Sequence, residues 1–131
     1  EGESRTAIEE MVLNIDLAPT ILALAGLPKR NHIQGQNLLP LIEGMVDDWR
    51  DEFFCEHRFD HPGIAKSEGI RTKEWKYIRY FEQNPVYEEL YNLESDPYES
   101  HNLADDANAT TQLTDMRFRC TQLYQMVAAT S

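Results

Sequence analysis

The sequence predicts an α+β fold: a four-stranded antiparallel sheet packed by a C-terminal helix and preceded by two short helices. Three observations carry this. From Glu68 to Leu93, β-branched and aromatic residues cluster between polar breaks at Lys73-Glu74 and Gln83-Asn84-Pro85, as strands joined by tight connections do. Near the C-terminus, Leu113, Met116, Cys120, Leu123 and Val127 fall at alternating spacings of three and four, the stripe of an amphipathic helix. The chain has 131 residues, 41% hydrophobic and 27% charged, room for one domain with a modest core.

Taken in order, Glu1 to Glu10 is acidic and weakly patterned, and Met11 to Ile15 is an apolar run of strand length that periodicity alone leaves ambiguous. Asp16 starts a helix that ends at Gly26: its carboxylate can accept from the first free backbone N–H groups, and Pro19 is tolerated in a first turn. Leu17, Ile21 and Leu24 recur at helical spacing, but Ile15, Ala18, Leu22 and Ala25 make the surface apolar nearly all round. Such a helix is expected to lie against something larger. After a loop from Leu27 to Gln36, Asn37 caps a short helix, Leu38 to Glu43, with Pro40 in its first turn and Gly44 closing it.

A strand at Glu52 to Arg58 sets Phe53, Cys55 and His57 on one face and Phe54, Glu56 and Arg58 on the other. Phe59 to Ile64 is a loop by its Pro-Gly pair. Then come two strands around the Lys73-Glu74 turn, a third at Glu89 to Leu93, and a turn at Ser95-Asp96-Pro97. Asn108 or Thr110 caps the last helix, with Asp115 and Arg119 one turn apart opposite its apolar stripe. Trp75, Tyr77, Tyr80, Phe81 and Tyr91 are expected to be core under that helix rather than a sugar-stacking platform.

Net charge is −11, from 23 acidic against 12 basic residues, which argues against a broad nucleic-acid or anionic-membrane surface. No apolar run approaches the roughly 20 residues that cross a bilayer. Basic residues gather only at Arg58, Lys66, Arg71, Lys73, Lys76 and Arg79, where paired charge on a solvated sheet face competes with anion binding. Cys55 and Cys120 lack metal-ligand spacing and are expected to be ordinary half-buried side chains. Asn108-Ala109-Thr110 fits a glycosylation pattern too short to carry weight.

GIRTKEWKYIRY followed by EELYNLESDPYESHNLA resembles the C-terminal subdomain of the type I, formylglycine-dependent sulfatases, in which these blocks recur in this order. Upstream, NIDLAPTILALAGL and QGQNLLPLIEG are similar to the segments that lead into it. The resemblance implies the alkaline-phosphatase-like sulfatase fold. Residues 1–45 would belong to the edge of an α/β catalytic domain, residues 46–131 would form the subdomain, and the chain would be part of a longer secreted or periplasmic enzyme. In that family a formylglycine, made from the Cys or Ser of a Cys/Ser-x-Pro-Ser-Arg motif, works beside a calcium ion. Neither Cys55-Glu-His-Arg, Cys120-Thr-Gln-Leu nor Ser95-Asp-Pro-Tyr completes that motif, and Asp47-Asp48 and Asp105-Asp106 read as solvated charge or helix caps.

No catalytic residue, metal ligand or cofactor is therefore expected here, with calcium and formylglycine assigned to the parent enzyme. The resemblance implies substrate recognition, because the C-terminal sheet packs on the catalytic domain and its loops wall the cleft. A sulfated saccharide offers anions to Arg and Lys and hydroxyl groups to His and Glu. The candidates are Glu56, His57, His61, Lys66, Glu68 and Arg71. His57 reads equally as a satisfied sheet histidine, and Arg71 as a structural arginine. Ser67 stands where some relatives carry a sugar-contacting His. Partners expected are the N-terminal catalytic domain and a sulfated saccharide, with self-association through Ile15, Leu17, Ile21 and Leu24. Two alternatives remain: a noncatalytic glycan-binding module, and the same subdomain in a phosphodiesterase or phosphonate hydrolase.

Overall fold

The computed structural model of the chain describes residues 7–45 and 48–130. The first six residues, the expected boundary at residues 45 and 46, and the Asp47 half of the Asp47-Asp48 pair fall wholly or partly outside them. The chain divides into two compact units, Glu1–Asp51 and Glu52–Ser131.

In the first unit the Met11 to Ile15 run is not a strand: a 3-10 turn at Asn14–Asp16 leads into helix α1, Leu17–Leu24. Asp16 is not its side-chain cap. The carboxylate is fully buried and turned back, Oδ2 accepting from the Leu13 N–H at 2.8 Å and Oδ1 from the Gln36 N–H at 2.8 Å. Arg50 grips both oxygens, Nη2 to Oδ1 at 2.7 Å and Nη1 to Oδ2. One turn on, the Thr20 hydroxyl donates to the Asp16 carbonyl at 2.6 Å and accepts from the Leu38 N–H at 2.9 Å. Asp and Thr four apart thus stitch α1 to the segment leading into α2, Leu39–Ile42. Gly35 belongs to that stitch, since a Cβ there would stand 2.0 Å from the Ile15 carbonyl oxygen. The outward side chains of Ile15, Leu17, Ile21 and Leu24 are 46% to 69% exposed.

The second unit is the expected meander, in the order β1-β2-β3-β4: β1 Glu52–His57, β2 Ser67–Thr72, β3 Trp75–Tyr80 and β4 Tyr87–Asn92, every neighbouring pair antiparallel. Helix α3, Thr110–Thr130, covers one face. Phe54, Ile70, Tyr77 and Leu90 stand abreast across the four strands and meet Leu113, Met116 and Cys120 from the helix. A 3-10 turn at Ala107–Ala109 precedes α3, and its cap is Asp106, rather than Asn108 or Thr110, with Oδ1 accepting from the Asn108 N–H at 2.8 Å.

Period two corrects the aromatic assignment. Tyr77 and Trp75 lie under α3, but Tyr80 and Tyr91, odd-numbered steps away in the register, project from the other face, and Phe81 stacks on Arg58 beyond β3. Arg119 is also relocated: besides Asp115 it reaches Glu52 at the start of β1, Nε to Oε2 at 2.8 Å. Neither cysteine is half-buried as expected; Cys55 is exposed and Cys120 buried, both free thiols.

Candidate functional site

The recurring block around β4 is held by its own side chains. Asn92 Oδ1 accepts from the N–H groups of Glu94 and Ser95, and Asp96 accepts from the His101 N–H at 2.8 Å. Asn102 Oδ1 accepts from Leu90 and Ala104, while its Nδ2 donates to the Glu88 carbonyl at 2.9 Å. Glu99, in the left-handed region at φ 55°, is anchored by Lys76 Nζ at 2.5 Å. Asn92, Asp96 and Asn102 build the turn after β4, their side chains bonding the backbone around them.

The six candidate residues fall in three places. Glu56 and Glu68 pair across β1 and β2 on the α3 side of the sheet. Glu68 is 5% exposed and wholly engaged, accepting from Arg79 Nε at 2.6 Å and Nη2 at 2.5 Å, and from Arg58 Nη2 at 3.2 Å. Glu56 accepts from Arg58 Nε at 2.6 Å. A carboxylate buried with two guanidinium groups is an architectural charge cluster.

His57 and Arg71 lie on the uncovered face, at opposite ends of the sheet. His57 Nε2 is shielded from solvent without a hydrogen-bond partner, and His57 lines a shallow depression of about 170 Å³ together with the candidates Glu56 and Glu68 and with Cys55, Ser67 and Ile78. Arg71 Nε donates to the Thr72 carbonyl at 2.9 Å, and among the described residues no carboxylate pairs with its guanidinium. Lys76, its neighbour across the strands, is neutralised by Glu99.

His61 and Lys66 sit in the connection from β1 to β2. His61 is exposed, whereas Lys66 Nζ lies 3.1 Å from Asp60 Oδ1 and 3.1 Å from Glu82 Oε1, and these two hydrogen bonds hold its pKa above the usual lysine value. The same connection carries Phe59, passed over in the sequence as a loop residue and 69% exposed. Its signal was present: an aromatic side chain in a Pro-Gly loop has no strand face to occupy. Glu56, His57 and Glu68 therefore meet at one depression, while His61, Lys66 and Arg71 lie outside its lining. Among the described residues no group of three or more His, Cys, Asp or Glu is placed to hold a metal ion. No described helix is long and apolar enough to cross a membrane.

A meander sheet with one helix on one face and the other face open is the C-terminal subdomain architecture of alkaline-phosphatase-like sulfatases, and solved structures match it. The chain belongs to the family described as N-sulphoglucosamine sulphohydrolase, C-terminal, whose model matches residues 1–126. It is 32% identical to arylsulfatase K of Canis lupus familiaris over 93% of its own length and 24% of that relative's. An enzyme solved with its substrate D-glucosamine-2-N,6-O-disulfate superposes at TM-score 0.77 and 25% identity, over 87% of this chain and 24% of that one. A phosphonate monoester hydrolase of Agrobacterium radiobacter matches at TM-score 0.70 and 26% identity, over 86% and 24%. The chain thus spans about a quarter of the length of these proteins.

Proposed function

We propose that this chain is the C-terminal lobe of a secreted or periplasmic sulfuric ester hydrolase acting on a sulfated glycan, and that it supplies part of the substrate cleft rather than the reacting groups. The family match over residues 1–126 carries this proposal. The formylglycine and calcium belong to a catalytic domain elsewhere in the polypeptide, and residues 1–45 pack at the edge of that domain.

Two features of the chain support a large covering partner. One is the row of exposed apolar side chains Ile15, Leu17, Ile21 and Leu24, 46% to 69% exposed, a surface through which the chain by itself would self-associate. The other is the sheet face away from α3, where, among the described residues, His57 Nε2 has no hydrogen-bond partner and no carboxylate pairs with the Arg71 guanidinium.

A phosphonate or phosphodiester substrate is the second reading, favoured by the Agrobacterium hydrolase match. The test is turnover by the full-length protein encoded around this chain, with a sulfated glucosamine disaccharide, an aryl sulfate and a phosphonate monoester as substrates. Release of sulfate in preference to phosphonate is expected; the reverse preference, or an upstream sequence without Cys/Ser-x-Pro-Ser-Arg, overturns the proposal.

A further inference from the structure

The connection from β1 to β2 is unusually well fixed for a loop. Lys66 bridges Asp60 within it and Glu82 in the connection from β3 to β4, so one ammonium ties two loops at the same end of the sheet. His61 and Ile64 form a backbone bridge, with the Ile64 N–H donating to the His61 carbonyl at 3.2 Å. Inside that turn the Gly63 N–H donates to His61 Nδ1 at 3.1 Å. A ring nitrogen that accepts carries no proton, so the neutral imidazole keeps its proton on Nε2. The turn therefore selects the tautomer. Among the described residues nothing hydrogen-bonds to Nε2.

The same loop carries two apolar side chains with little cover, Phe59 at 69% and Ile64 at 53% exposed. Phe59 and His61 are two positions apart, so their Cα atoms lie within about 7 Å, the span of one sugar ring. No cation of the loop is free to take an anion, because Lys66 and Arg58 each face two carboxylates. The loop suits a surface that is apolar in one patch and rich in uncharged acceptors in the next. A pyranose ring has that character, with a C–H face that sheds water against an aromatic ring and hydroxyl groups around its rim.

Resting on the function proposed above, we propose that residues 58–66 form a saccharide-contacting finger. Phe59 stacks on the C–H face of one pyranose of the sulfated glycan, and His61 Nε2–H donates to a hydroxyl oxygen of that ring rather than to a sulfate. It is a specificity element.

The test uses the full-length protein and two substrates, a sulfated glucosamine disaccharide and a small aryl sulfate that lacks the sugar. Phe59→Ala and His61→Ala are each expected to lower the ratio of kcat/KM for the disaccharide to that for the aryl sulfate about tenfold, the worth of one neutral hydrogen bond or a lost ring contact. His61→Gln, which keeps an N–H donor, is expected to recover most of that ratio. An unchanged ratio in both alanine variants overturns the finger, and a glutamine variant as poor as alanine overturns the donor role. If the unaltered protein hydrolyses neither sulfate ester, the proposed function itself falls, and this inference with it.

Discussion

Arg50 holds Asp16 through two parallel N–H donors across 34 positions of sequence, and the Asp16 carboxylate is closed off from solvent. Burial pushes that carboxyl up. The hydrogen bonds from Arg50 and from the Gln36 and Leu13 N–H groups outweigh it, and the net pKa lies below the ordinary aspartate value.

Arg50→Ala should therefore destabilise the first unit by about 3 to 5 kcal/mol, because it strands a buried charge. The direct measurement is hydrogen exchange at the Gln36 amide, whose partner is Asp16; exchange should accelerate while the β-sheet amides stay protected. The acid dependence follows in sign. A carboxyl held below its unfolded value of 3.8 gives stability that is complete above that pH and lost as pH falls through the folded value. Protection at Gln36 should thus fade in acid below about pH 4 in the native chain.

On α3, two nearby residues should behave oppositely. Met116 is fully buried and Phe118 is 63% exposed on the reverse side. Met116→Ala is expected to cost about 2 to 5 kcal/mol in urea unfolding, and Phe118→Ala less than about 0.5. Equal costs would mean that the helix is rotated from the orientation described here.

Gly69 faces a crowded backbone rather than a turn. A Cβ there would lie 2.3 Å from the Tyr77 carbonyl oxygen, closer than any side chain tolerates. Gly69→Ala must push β2 from β3, and a loss of about 1 to 3 kcal/mol is expected. The urea midpoint reports it.

The two thiols should titrate apart. Burial pushes the Cys120 thiol up to about 12, and raises Cys55 as well, against the pull of Lys76. At pH 8 a thiol reagent is expected to modify the exposed Cys55 slowly and Cys120 only after denaturant is added. Counting modified residues by mass spectrometry, before and after unfolding, checks this.

The sheet was legible because its information is local. Alternation within Glu52–His57 and the Lys73-Glu74 break name strands and a turn without reference to distant residues, and the 3-4 stripe through Met116 and Cys120 names the face of α3 that meets them. What escaped depends on partners far along the chain. Asp16 looked like a helix cap because Gln36 and Arg50 lie 20 and 34 positions away. Glu68 looked available to a sugar because its engagement with Arg79 needs the β2–β3 register, which no single strand reveals. Tyr80 was placed in the core by its aromatic character, although three steps from Tyr77 must carry it to the opposite face.

Asn92, Asp96 and Asn102 satisfy their own backbone, which changes what the recurrence of their motif can mean. A scaffold that is complete without a ligand can be inherited by enzymes that cleave a C–O–S linkage or a phosphorus ester alike. Its presence identifies lineage and shape. With the finger proposed above, the choice of molecule would lie in residues 58–66, a connection outside the strands and helix that make the frame.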